Sequence, residues 1–301
     1  DIMKQKYNNY IIMANEFLLK SEYIKAQEAY IKSLEFAKTK KELTDSYFEI
    51  ADIYLIEGEN EKALATFKKI IEIDDSLPGS YYGIAVYYDL KNDLDMAKKY
   101  YELAISKDET YDRAYYYLAH ILDRMGKKDD AMECLFRCIE LDPYDYVSYN
   151  DLGSFYEERS EYDTALKYID KSLEICPSYF RALYNRGVVL YKMGKPEEAL
   201  EEYKKALDES TEDDIYLNMS AIYISKKDYK SAIEILLEGI EENPDSENLY
   251  YNLGCSYEKL GKRAEAVVAI KKSIELNEKI LDFAKNDIDM KKILEEEDLI
   301  G

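Results

Sequence analysis

An alanine set in a helical pattern of apolar residues returns at Ala63, Ala97, Ala131, Ala165 and Ala199, each 34 residues after the one before. The series runs on to Ala232 after 33 residues and to Ala266 after 34 more, and back to Ala26, 37 residues before Ala63. A unit of this length cannot bury its own apolar face, so neighbouring units must stack and share a core. Eight units follow, at 7–43, 44–77, 78–111, 112–145, 146–179, 180–212, 213–246 and 247–280, with residues 1–6 as an N-terminal extension.

Aligned on the alanine, each unit has a large residue at its fourth position: Tyr10, Tyr47, Tyr81, Tyr115, Tyr149, Leu183, Tyr216 and Tyr250. Seventh-position residues such as Ile50, Leu118, Leu152 and Leu253, and a bulky eleventh position, complete an i, i+3, i+7 stripe that predicts one amphipathic helix, A. The eighth position holds only Ala, Gly or Ser, so a second backbone must approach closely there. Gly58, Gly126, Gly194 and Gly261 stand at the fifteenth position, where a helix end calls for positive φ, although Lys227 occupies it in the seventh unit. Helix B then carries the alanine and, four residues on, a bulky residue such as Tyr30, Phe67, Tyr101 or Tyr203. Pro143, Pro177 and Pro244 end three of the units, because their rings cannot continue a helix. Beyond them, Leu281, Ala284, Ile288, Ile293 and Leu294 predict one more amphipathic helix within 281–301, closing the last exposed face.

With 11 Gly and 5 Pro the chain has little material for strand turns, and helix is expected throughout. A net charge of −22 repels a phosphate backbone, and no basic stripe offsets it, so nucleic acid is not an expected partner. No apolar run approaches the roughly 20 residues that a membrane-spanning helix requires. Cys134, Cys138, Cys176 and Cys255 show no disulfide framework, which points to a reducing, cytoplasmic setting. The first residue is Asp1 and not Met, which reads as a processed or truncated start.

The aromatic, Leu-Gly, Tyr, Ala, Phe and Pro positions of these units resemble the tetratricopeptide repeat family over 7–280, with Tyr standing where the family has Trp. The resemblance implies an all-α fold: a right-handed superhelical α-solenoid of eight helix-turn-helix repeats plus a C-terminal capping helix. It also implies that successive A helices line a concave groove and that the family's second, fifth, sixth, ninth, twelfth and thirteenth positions face it. At the sixth position the last three repeats carry Asn185, Asn218 and Asn252, whose amides can both donate to and accept from an extended peptide backbone. Tyr82, Tyr116, Tyr184 and Tyr251 fill the fifth position, with Tyr117 beside them, and offer rigid faces with polar tips. Asp45, Glu49, Asp52 and Asp89 form an acidic patch in the second and third repeats, whereas Arg113 and Arg181 come later, so a partner with a basic segment suits the N-terminal part. The asparagines also read as exposed polar residues of the family consensus, the tyrosines as core or compositional bias in a chain with 32 of them, and the charged residues as the solvated surface of an acidic protein.

Family members that hold the acidic tails of heat-shock chaperones use a clamp that includes a fifth-position lysine. Here that position is Ile11, Phe48, Tyr82, Tyr116, Asn150, Tyr184, Leu217 or Tyr251, so this role is not expected. His120, the one histidine, reads as a groove contact and not as a base or metal ligand, and Cys134 with Cys138 reads as core. No catalytic residue, metal or cofactor is expected. The leading expectation is a non-catalytic scaffold holding an extended peptide segment of a partner protein. A structural or self-associating subunit using the convex face or solenoid ends, and a regulatory region of a longer enzyme, remain alternatives.

Overall fold

The computed structural model describes residues 2–296, without the side chain of Asp289. They divide into two compact units, one ending at Ser148 and the other beginning at Tyr149. The first holds four helical hairpins: α1 (Ile2–Leu19) with α2 (Tyr23–Leu34), α3 (Lys40–Ile56) with α4 (Asn60–Ile73), α5 (Pro78–Leu90) with α6 (Leu94–Lys107), and α7 (Asp112–Arg124) with α8 (Lys128–Leu141). Helix α9 (Tyr146–Glu158) starts at the end of this unit and continues into the second. There it is followed by α10 (Tyr162–Ile175), then α11 (Phe180–Lys192) with α12 (Pro196–Leu207), α13 (Asp213–Ser225) with α14 (Tyr229–Glu242), and α15 (Glu247–Lys259) with α16 (Arg263–Leu276). Two short helices, α17 (Ile280–Asn286) and α18 (Ile288–Glu296), complete the described chain.

The periodic alanines are the points where the hairpins close. Ala26, Ala63, Ala97, Ala131, Ala165, Ala199, Ala232 and Ala266 are all 0% exposed. The bulky residue four positions on packs onto the small eighth residue of the facing A helix. A Cβ added to Gly153 would lie 2.4 Å from Ile169 Cγ1 and 3.2 Å from the Ala165 carbonyl oxygen, so glycine there is what lets the two backbones meet.

Length differences between units are absorbed at helix ends. The extra residues of the first unit extend α3 to 17 residues, four more than α5, and its start is fixed by a Thr39–Glu42 capping box. The shortened sixth unit loses its residue from α12, which has 12 residues where α10 has 14. Residues 2–6, with no Gly or Pro among them, belong to α1 and do not form a separate extension.

All eight fifteenth positions are left-handed, at Gly58, Gly126, Gly194 and Gly261 and equally at Ser21, Asn92, Ser160 and Lys227. A side chain at such a φ costs roughly 1–2 kcal/mol, which glycine escapes. Lys227, at φ 61°, is solvent-exposed, so Lys227→Gly should raise stability by about 1 kcal/mol in urea unfolding. No change, or a loss, would show that this turn relaxes at no cost.

The segment expected as one capping helix is divided at Asp287, whose backbone is extended (φ −86°, ψ 116°). The break lets α18 turn Met290, Ile293 and Leu294, all 0% exposed, onto Tyr251, Ala266 and Ile270 of the last hairpin. Residues 297–301 of that expected helix lie outside the described residues.

Candidate functional site

In the second unit, α9, α11 and α13 place their fifth and sixth positions side by side. Asn150, 3% exposed, donates through Nδ2 to Asp151 Oδ1 at 3.2 Å and accepts at Oδ1 from Asn185 Nδ2 at 2.9 Å. A carboxylate only accepts, so Asp151 fixes the Asn150 amide, and Asn150 in turn fixes that of Asn185. Asn185 Nδ2 also donates to Ser154 Oγ at 3.0 Å. Both of its protons are therefore used inside the protein, and its Oδ1 makes no hydrogen bond among the described residues. Asn218 Nδ2 reaches the hydroxyls of Tyr184 at 2.9 Å and Tyr203 at 3.4 Å. The Asn252 amide makes no hydrogen bond among the described residues. Around Asn185 lies a cleft of about 260 Å³ whose rim carries Arg181, Tyr184, Glu212 and Asp214. Arg181 stacks 5.7 Å above its neighbour Phe180 and makes no ion pair among the described residues.

The expectation that all three asparagines offer free donors and acceptors therefore needs correction. Asn185 presents an acceptor alone, because buried Asn150 lies beneath it. Tyr251 also departs from its expected place on an open surface. It is 6% exposed, its ring meets Phe283 at 5.4 Å, and its hydroxyl donates to Asp287 Oδ2 at 2.8 Å, because α17 and α18 cover it.

The first unit brings together a tyrosine cluster. Tyr82 lies 5.7 Å from Tyr101, 5.7 Å from Tyr111 and 5.8 Å from Tyr117 between ring centres. Tyr116 meets Tyr117 at 5.3 Å and His120 at 4.6 Å. Arg113 lies 4.9 Å above the Tyr82 ring and donates to the Tyr82 hydroxyl at 3.5 Å. Burial raises the pKa of the Tyr82 phenol, so it stays protonated.

The four acidic residues do not form one open patch. Asp45 pairs with Lys41 at 2.7 Å, and Asp89 on α5 pairs with Arg124 on α7, the A helix of the next repeat. Glu49 and Asp52 make no ion pair or hydrogen bond among the described residues. Both are open to solvent, yet the walls around them displace enough water to raise their pKa values, Glu49 further through Asp52 and Asp45, while Arg113 offsets part of the effect at Asp52.

One contributor, the bulky residue of helix B, is assigned no groove role in the sequence analysis. It also floors the next A helix at the sixth position, as Tyr203 does under Asn218 and Phe67 under Gly83. The readable signal was a hydroxyl at a core position. Tyr101, 0% exposed, carries its hydroxyl without a partner among the described residues. Cys134 and Cys138 have thiol pKa values pushed up to about 12 by burial, which makes them inert, and no metal-ligating cluster occurs among the described residues.

Models of the tetratricopeptide repeat match residues 44–76, 78–111, 112–145, 145–208, 190–253 and 247–280. The chain belongs to the tetratricopeptide repeat family. Photosystem I assembly protein Ycf3 of Synechococcus sp. (strain CC9605) is 37% identical over 86 residues, covering 27% of this chain and 50% of that protein. The Hsp70-Hsp90 organising protein of Plasmodium falciparum is 31% identical over 122 residues, covering 38% of this chain and 22% of that one. The repeats thus span half or less of these curated relatives. Among solved structures, the APC/C Cut9-Hcn1 assembly superposes over 95% of this chain and 55% of its own at a TM-score of 0.62 and 18% identity, a likeness of fold alone. YrrB, described as a tetratricopeptide repeat protein with an unusual peptide-binding site, covers 67% of this chain and 99% of its own at a TM-score of 0.51 and 27% identity. Among the described residues, no helix of these repeats is long and apolar enough to cross a membrane.

Proposed function

We propose that the protein is a non-catalytic scaffold that holds an extended segment of a partner protein along α11, α13 and α15. The observation that carries this reading is the relay from Asp151 through Asn150 to Asn185. It holds one amide rigidly and turns its unpaired oxygen outward, where a peptide N–H can donate to it. Asn252 adds an amide with both functions unused among the described residues. The peptide-binding site named for YrrB and the assembly role named for Ycf3 favour a protein partner over a small molecule. Although one relative is a chaperone-organising protein, the fifth-position lysine of a chaperone-tail clamp has no counterpart here.

The test is affinity capture from native extract with the wild type and with Asn185→Ala, Asn218→Ala and Asn252→Ala combined. Capture of the extended-segment partner should fall at least tenfold, about 1.4 kcal/mol, while the helical circular dichroism persists. Undiminished capture by a folded triple variant overturns the proposal. Asn185→Asp is a sharper probe, because it sets a carboxylate against Asn150 Oδ1 and should weaken capture as much as the alanine does.

A further inference from the structure

Helix α5 differs from the other A helices at two groove positions, the second and the sixth, which are Gly79 and Gly83. Elsewhere the sixth position bears side chains such as Glu49, Tyr117, Asn185 and Asn218. Gly83 lets the buried Phe67 ring press against the α5 backbone, and Gly79 leaves room beside Phe48. A Cβ on Gly83 would lie 2.3 Å from the Phe67 ring, and one on Gly79 would lie 3.2 Å from Phe48. The result is a cleft of about 390 Å³, within the range of roughly 300–1,000 Å³ typical of small-ligand sites. Phe48, Phe67, Tyr82 and Tyr111 line it, Asp52 stands at its rim on α3, and Arg113 closes the far side.

We propose that this cleft is a pocket for one basic side chain, lysine or arginine, of a partner segment. The aromatic walls suit the methylene stem and then the face of a cation. The head group would reach Asp52, with Glu49 one turn away on the same helix, and neither carboxylate has an ion-pair partner among the described residues. Arg113 offsets only part of the Asp52 charge: its guanidinium lies on Tyr82 and pairs with no carboxylate among the described residues. One acid, Asp52, stands against one arginine at the cleft itself, and Glu49, one turn from Asp52 and outside the lining, tips the local charge negative, which disfavours an acidic side chain and leaves a neutral one without a partner. The raised pKa values of Glu49 and Asp52 fit this arrangement, since carboxylates kept where their charge is costly are suited to receive a cation. The pocket shares no residue with the asparagine relay, so each can fail while the other stands.

The experiment is an NMR titration of the whole chain with N-acetyl-arginine amide and N-acetyl-lysine amide, beside the norleucine and glutamate amides. The basic amides should shift the ring signals of Phe48 and Tyr82. Asp52→Asn with Glu49→Gln should weaken them at least tenfold, whereas the triple asparagine variant should leave them unchanged. Gly79→Leu, which fills the cleft, should abolish the shifts. If it fails to fold, the Asp52→Asn and Glu49→Gln variant decides alone. Equal binding of norleucine amide, stronger binding of glutamate amide, no shift at Phe48 or Tyr82, or full binding by the charge-removed variant each overturns the proposal.

Discussion

Tyr203→Ala is expected to destabilise the second unit by about 3–5 kcal/mol, the usual cost of deleting a buried aromatic ring. The ring is 1% exposed and presses on the backbone of α11, so that a Cβ on Gly187 would lie 2.6 Å from its Cε1. Tyr203→Phe keeps the ring and removes only the hydroxyl that stands 3.4 Å from Asn218, and should cost about 1 kcal/mol. Urea unfolding of the two variants separates packing from the polar link to the groove. Equal losses in both would mean that the hydroxyl, and not the ring, holds α12 to α11.

Tyr203 also shows where sequence reasoning stopped. The alanine period and the small eighth position were legible because each depends on one hairpin, whose two backbones touch at a fixed interval. Groove residues depend instead on what lies beneath them, and that comes from the preceding repeat. Asn185 was legible as a groove residue, but its use as an acceptor was not, since that is set by Asn150 at a neighbouring repeat's fifth position. Tyr251 sits in the same column as Tyr184, yet α17 and α18 bury one and not the other. The acidic patch breaks up for a similar reason: Asp89 and Arg124 are 35 residues apart, just over one repeat, and become a pair only when α5 and α7 stack. Gly83 is the one glycine in a column of larger side chains, and the ring it admits, Phe67, again comes from the preceding repeat.

Arg186→Leu should cost about 3 kcal/mol, at the lower end of what breaking a buried ion pair costs. Glu202, with 6% of its side chain exposed, is held by Arg186 Nη1 at 3.0 Å and by Lys205 at 2.7 Å, and Arg186 Nε also donates to Asp170 at 2.8 Å. Removing the arginine leaves a carboxylate out of water with only the largely exposed Lys205 beside it. The corresponding positions of the eighth repeat carry Leu253 and Ala269, packed in one apolar cluster, so the fold accepts the uncharged version of this contact. Arg186→Leu combined with Glu202→Ala copies that pair and should recover most of the loss, since apolar replacement of a buried ion pair is often neutral or favourable. Chemical unfolding of the single and double variants gives the coupling directly. If the double variant is no more stable than the single one, the arginine contributes by filling space, and the charges at α11 and α12 are incidental to holding the hairpin closed.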